Sequence, residues 1–123
     1  MKLRRTDTLF SIYIRNRDGW RCQRCRKQYS PPTRGLHNSH FYGRAREATR
    51  FEPDNCIALC YGCHKLWGHG DQRSEYEKFM RKKLGEKRFK TLMLQAYEDN
   101  KKHKDDKMKL IIIRQLLKEQ VNK

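Results

Sequence analysis

Residues 22–44 read CQRCRKQYSPPTRGLHNSHFYGR, opening on the pair Cys22 and Cys25 and closing just past His37 and His40. A second pair, Cys60 and Cys63 in CYGC, follows after the 34 residues 26–59. A two-residue gap lets both thiolates of a pair reach one ion within a tight turn, and four thiolates close the tetrahedral shell of a structural zinc. The alternatives are a redox dithiol or two unrelated buried pairs; a redox pair of this spacing needs a strand-helix-strand setting, which the flanking sequence lacks. Five cysteines do not suit a disulfide framework, and Cys56, ahead of Ile57 and Leu59, reads as a small buried residue rather than a fifth ligand.

The composition calls for such a staple. Only 36% of the 123 residues are apolar, which limits the core that one small domain can bury. A four-cysteine zinc site supplies on the order of 10 kcal/mol of coupled folding energy. Charge is lopsided: 30 Lys and Arg against 14 Asp and Glu give a net +16. That excess predicts a polyanionic partner, with nucleic acid the usual one. No apolar stretch approaches the roughly 20 residues that span a bilayer. The basic start, MKLRRTDTLFSIYIRNRDG, is interrupted by Arg15 and Arg17 and has no signal-peptide cleavage pattern, so a cytoplasmic location is expected.

Leu9, Phe10, Ile12 and Tyr13 predict a short amphipathic helix from Thr8 to Arg17, capped at Thr6 or Asp7 and ended by Gly19. From Cys22 to Phe51 there is no helical period, and SPPTRG marks a loop between a knuckle and one or two short strands. Tyr76, Phe79, Met80 and Leu84 form one helical stripe, Gly85 breaks it, and Phe89, Leu92, Met93, Ala96 and Tyr97 form another. Met108, Ile111, Ile112, Leu116 and Leu117 predict a last helix that either folds back on the core or pairs with another subunit. The organisation expected is a core over residues 1–70 and a basic helical extension over 71–123, available for DNA contact or dimerisation.

Between the knuckles, LHNSHFYGRAREATRFEPDNCIALCYGCHKLWG places His40, Asn55 and His64 in that order. This arrangement resembles the HNH endonucleases. With SHFYGRAREATRFEPDNCIALC and the later YEKFMRKKLG, it is most similar to the phage lambda NinG (Rap) recombination endonuclease family. The HNH likeness covers residues 8–69, and the NinG-like one extends to Gly85. The resemblance implies an α+β fold: a small zinc-stapled ββα-metal (HNH) core with an N-terminal helix and a helical C-terminal extension. It implies a metal-dependent DNA endonuclease acting on branched or recombination-intermediate DNA, with Zn²⁺ structural and Mg²⁺ or Mn²⁺ catalytic. A homodimer through the C-terminal helices and, for a phage-encoded protein, the host cytoplasm also follow from it.

By the same resemblance His40 is the general base, His64 a ligand of the catalytic ion, Arg44 a phosphate contact, and Asn55 a brace for the His40 loop or part of the metal site. A neutral imidazole, with an ordinary pKa of about 6.5, suits the removal of a proton from water near pH 7. Many family members carry Asp or His just before the base, where this chain has Ser39. His37 shares a strand face with Ser39 and could supply the missing ligand. Alternatively His40 binds the ion, and the base is unassigned. His69 reads as a loop residue or phosphate contact, with a further ligand the second choice.

Arg44, Arg46, Arg50 and Lys65 within the motif, and Lys82, Lys83, Lys87 and Arg88 beyond it, are the candidate nucleic-acid contacts. Phe41, Tyr42, Tyr61 and Trp67 read as scaffold rather than stacking platforms. The alternative function is a non-catalytic zinc-stabilised DNA-binding module, and the basic surface alone does not separate DNA from RNA.

Overall fold

The computed structural model describes residues 3–121. In chain order these are helix α1 (Arg5–Arg17), strand β1 (Leu36–His40), helix α2 (Glu47–Arg50), a 3-10 turn (Pro53–Asn55), strand β2 (Cys56–Cys60) and helix α3 (Tyr61–His64). A π-helical turn (Lys65–His69) prolongs α3, and helices α4 (Arg73–Leu84), α5 (Glu86–Ala96) and α6 (Asp106–Val121) follow. The class is α+β. None of these helices is long and apolar enough to cross a membrane.

Helix α1 starts earlier than its apolar residues alone suggest. Asp7 sits inside the first turn rather than at the cap, and its carboxylate accepts the Arg4 backbone N–H at 2.8 Å. A carboxylate there is favoured by the positive end of the helix dipole. At the other end Gly19 takes φ 67°, turning the chain out of the helix and into the first cysteine pair.

The sheet has two antiparallel strands, in register from Leu36 opposite Cys60 to His40 opposite Cys56. Side chains alternate along β1, so His37 and Ser39 share one face while Leu36, Asn38 and His40 share the other. Ser39 is fully buried and shares a hydrogen bond of 2.9 Å with the Tyr76 hydroxyl of α4. Residues 56–59 of β2, Cys-Ile-Ala-Leu, are buried on both faces, which explains their unbroken apolar run.

Apolar side chains gather in two clusters. The larger joins Leu36, Ile57 and Leu59 of the sheet to Tyr76, Met80 and Leu84 of α4 and to Phe89 and Leu92 of α5. The smaller joins Phe10 and Ile14 of α1 to Cys56 and Ile113 of α6. Residues beyond 70 therefore complete both cores rather than trail from a finished one. Gly85, at φ 81°, makes the corner between α4 and α5.

Helix α6 folds back on α1, where the Gln120 amide donates to the Tyr13 carbonyl at 2.9 Å. Its buried anchor is Ile113, at 2% exposure, with Leu117 packed beside it. Met108, Ile111 and Ile112, placed on the apolar stripe by periodicity, lie instead 53%, 61% and 50% exposed. Tyr97, assigned to the α5 stripe, also lies outside the core, under the Arg46 guanidinium 4.4 Å from its ring centre.

Candidate functional site

The four sulfurs of Cys22, Cys25, Cys60 and Cys63 lie within 4.8 Å of one another. The first pair sits in a tight hairpin in which Cys22 donates to the Lys27 carbonyl at 3.0 Å and Arg26 donates to the Cys22 carbonyl at 2.9 Å. The second straddles the end of β2 and the start of α3. In each pair the later backbone N–H points at the earlier sulfur, Cys25 to Cys22 and Cys63 to Cys60, both at 3.5 Å. Cys25 Sγ and Cys60 Sγ are 3.8 Å apart, the edge of a tetrahedron whose centre is about 2.3 Å from each sulfur.

Ionisation in this cluster is divided. Burial raises the Cys22 thiol, but backbone N–H groups of Cys60, Cys25 and Arg24 outweigh it and bring the pKa down to about 7. Cys63 is pushed up to about 12 by burial and by its neighbours Cys60 and Cys22, against the Arg24 guanidinium 3.5 Å from its sulfur. A divalent cation at the centre relieves that mutual opposition, so the donor set fits zinc. Cys56 lies elsewhere, buried in the α1–α6 cluster with its thiol pushed up by burial.

A cleft of about 700 Å³ opens beside β1. Strand β1 supplies His37 and His40 to it, α3 supplies His64, and the π-helical turn supplies His69. The cysteine cluster fixes this geometry, because His64 directly follows Cys63. Gly68 permits the turn to close: a side chain there would meet the His64 ring at 2.9 Å.

His37 Nδ1 and His64 Nδ1 face each other at 3.0 Å, and His37 Nε2 donates to the Arg34 carbonyl at 3.0 Å. With His37 Nε2 donating, this contact is a hydrogen bond from His64 Nδ1–H to His37 Nδ1, and its length is about that between two ligands at right angles about 2.1 Å from one octahedral ion. Burial, with smaller contributions from the neighbouring imidazoles of His37 and His69, lowers His64 to about 4, so its neutral form prevails at neutral pH. Asn38 also lines the cleft, from the strand face opposite His37, and its Oδ1 is buried without a hydrogen-bond partner among the described residues. Ser39 is turned to α4 and is not available there. Among the described residues, the four cysteines are the one group of three or more His, Cys, Asp or Glu donors drawn together.

His40 is also lowered to about 4, first by burial and then by Arg44, although its bond to Arg50 and the Asp7 carboxylate oppose the shift. Its Nε2–H donates to the Arg50 carbonyl at 2.8 Å, which leaves Nδ1 as the nitrogen with a free lone pair. Arg50 is held in turn: Nε and Nη2 clamp the two oxygens of Asp7 at 2.9 and 2.5 Å. Asn55, fully buried, accepts the Tyr42 N–H at 2.8 Å and donates to the carbonyls of Tyr42 and Thr49 at 2.9 and 3.0 Å. One side chain thus pins both ends of the loop that carries His40 at its entry and Arg50 at its exit.

The candidate nucleic-acid contacts scatter. Arg44 lines the cleft, and Lys65 is exposed on the π-helical turn. Arg46 is half-buried and committed to Tyr97 and the Ala96 carbonyl. Arg50 is a correction: at 5% exposure and clamped on Asp7, it braces the interior rather than meeting phosphate. Lys82, Lys83, Lys87 and Arg88 do not line the cleft, and Arg88 pairs with Asp54.

Three cleft arginines, Arg15, Arg34 and Arg73, were not among the sequence candidates. For Arg15 a signal existed. Asp7, Ser11 and Arg15 recur every four residues, a polar stripe beside Phe10 and Ile14, and all three line the cleft. No family model, curated protein or solved structure matches this chain.

Proposed function

We infer that the chain is a divalent-metal-dependent endonuclease that hydrolyses phosphodiester bonds in DNA. The observation that carries this reading is His40: a neutral imidazole with Nε2 committed to a backbone carbonyl and Nδ1 free, in a cleft shared with the facing pair His37 and His64. His40 Nδ1 takes the proton of a water whose oxygen attacks phosphorus, while the bond from phosphorus to the departing sugar oxygen breaks. Asn55 and the Asp7–Arg50 clamp hold that imidazole in place. Arg44 meets a phosphate oxygen. Mg²⁺ or Mn²⁺, held by His37 and His64, would stabilise negative charge on the phosphoryl group and on the departing oxygen. A hard ion suits a site of few histidines, water and phosphate oxygen, whereas the four thiolates suit zinc.

The resemblance adds branched or recombination-intermediate DNA as substrate and pairing of two chains through α6, whose Met108, Ile111 and Ile112 are exposed. Sedimentation as a monomer at working concentration would count against that pairing. Free thiols and a four-cysteine site suit a reducing cytoplasm. One observation favours the alternative of a non-catalytic zinc-stabilised DNA-binding module: no third His, Cys or acid donor joins His37 and His64 among the described residues.

Cleavage of a four-way junction and of linear duplex by zinc-loaded protein with Mg²⁺ or Mn²⁺ separates the two. Cutting that His40→Ala abolishes supports the enzyme. Tight binding without cutting in either metal supports the binding module.

A further inference from the structure

We propose that DNA phosphates are gripped by cleft arginines at the two ends of β1, and not by the lysine-rich face of α4 and α5. The position of the cut relative to this grip rests on the endonuclease reading, but the grip itself is a binding site and is tested without cutting. Arg15 and Arg34 stand at the start of the strand: Arg15 donates to the Leu36 carbonyl at 3.5 Å, and the Arg34 carbonyl holds His37. Arg44 and Arg73 stand at its far end, where Arg73 donates to the Phe41 carbonyl and lies over the Phe41 ring. The histidines lie between.

No carboxylate neutralises these four arginines among the described residues. The one acid lining the cleft, Asp7, is already clamped by Arg50. The guanidinium groups of Arg34 and Arg44 have no protein partner at all among the described residues; on the helical face Arg81 and Arg88 pair with Glu77, Glu86 and Asp54, and Lys82, Lys83 and Lys87 stand exposed to solvent. Unpaired charges lining one cleft reinforce one another's field on an anion, while lysines spread over an exposed helix face are each screened by solvent and salt. The ends of a five-residue strand are roughly 13 Å apart. Duplex DNA presents a phosphate about every 3.4 Å of axis on each strand, so the two ends span the phosphates on both sides of a single bond.

The test is the salt dependence of binding to a short mixed-sequence DNA duplex, followed by fluorescence anisotropy on zinc-loaded protein without Mg²⁺ or Mn²⁺. Two double variants remove the same net charge: Arg34→Gln/Arg44→Gln and Lys82→Gln/Lys87→Gln. Each lost phosphate contact lowers the slope of log K against log salt by about 1. The arginine pair is expected to lower it by about 2 and to weaken binding several-fold, and the lysine pair to leave the slope unchanged. Arg34→Lys/Arg44→Lys, which keeps both charges, is expected to restore the slope. Equal effects of the two Gln pairs, a larger effect of the lysine pair, or failure of the Lys rescue would overturn the grip. If the slopes behave as expected and no metal supports cutting, the endonuclease reading fails while the grip stands.

Discussion

Asn55, fully buried, makes three side-chain hydrogen bonds. Asn55→Ala takes the partner from the Tyr42 N–H and the Tyr42 carbonyl, where each orphaned group costs about 1–3 kcal/mol, while the Thr49 carbonyl keeps the Glu52 N–H at 3.2 Å. Denaturant unfolding of the zinc-loaded variant is expected to show a loss of about 2–4 kcal/mol, and an unchanged midpoint would contradict the brace. A second residue-scale effect is proton linkage. His40 and His64 sit at about 4 in the fold against an ordinary value of about 6.5, so between those values the unfolded chain binds more protons than the folded one. Their neutral burial therefore costs nothing above about pH 6.5, and stability falls as pH drops toward 4. His40→Gln removes one of the two contributions, so its urea midpoint is expected to fall less between neutral pH and about pH 5 than that of the parent chain; parallel losses would contradict the assignment. The order of His40 and Asn55 along the chain made them candidates through the resemblance it carries. It could not show that Arg50 is their support, because only folding brings Asp7 of α1 across to it.

At the scale of elements, the knuckles and the last helix differ in how much the sequence reveals. Two cysteine pairs at metal-binding spacing require no knowledge of the fold between them, and their four sulfurs do converge. Cys25 is exposed, so Cys25→Ser removes a ligand and almost no packing. It is expected to abolish zinc binding and to cost much of the roughly 10 kcal/mol that such a site contributes, whereas Cys56→Ala keeps the metal. Retention of one tightly bound zinc by Cys25→Ser would contradict the four-sulfur site. Helix α6 was harder to read. Residues 110–113 are Leu-Ile-Ile-Ile, an apolar run with no period, so the buried face is chosen by Phe10 and Ile14 of α1 and not by the helix itself. Ile113→Ala is expected to destabilise by about 2–4 kcal/mol, against about 0.5 kcal/mol or less for Ile111→Ala. Comparable losses in thermal or urea unfolding would place the docking face elsewhere.

Taken as a whole molecule, the chain separates two tasks in adjacent places. The cysteine cluster closes the end of the sheet and sets α3, and α3 carries His64 to the cleft where β1 presents His37 and His40. The excess of +16 was plain from composition, but its distribution was not: lysines gather on α4 and α5, while arginines without a carboxylate partner among the described residues collect beside β1. The central claim is that this cleft hydrolyses DNA with a hard divalent ion while zinc stays structural. The most direct measurement is nicking of supercoiled plasmid by protein carrying one zinc, with and without added Mg²⁺ or Mn²⁺, beside His40→Ala carrying the same zinc. The account predicts cutting only with added Mg²⁺ or Mn²⁺ and a loss of at least about 100-fold in the variant, the usual contribution of a general base. Equal cutting by His40→Ala, or intact plasmid under either metal, would contradict it.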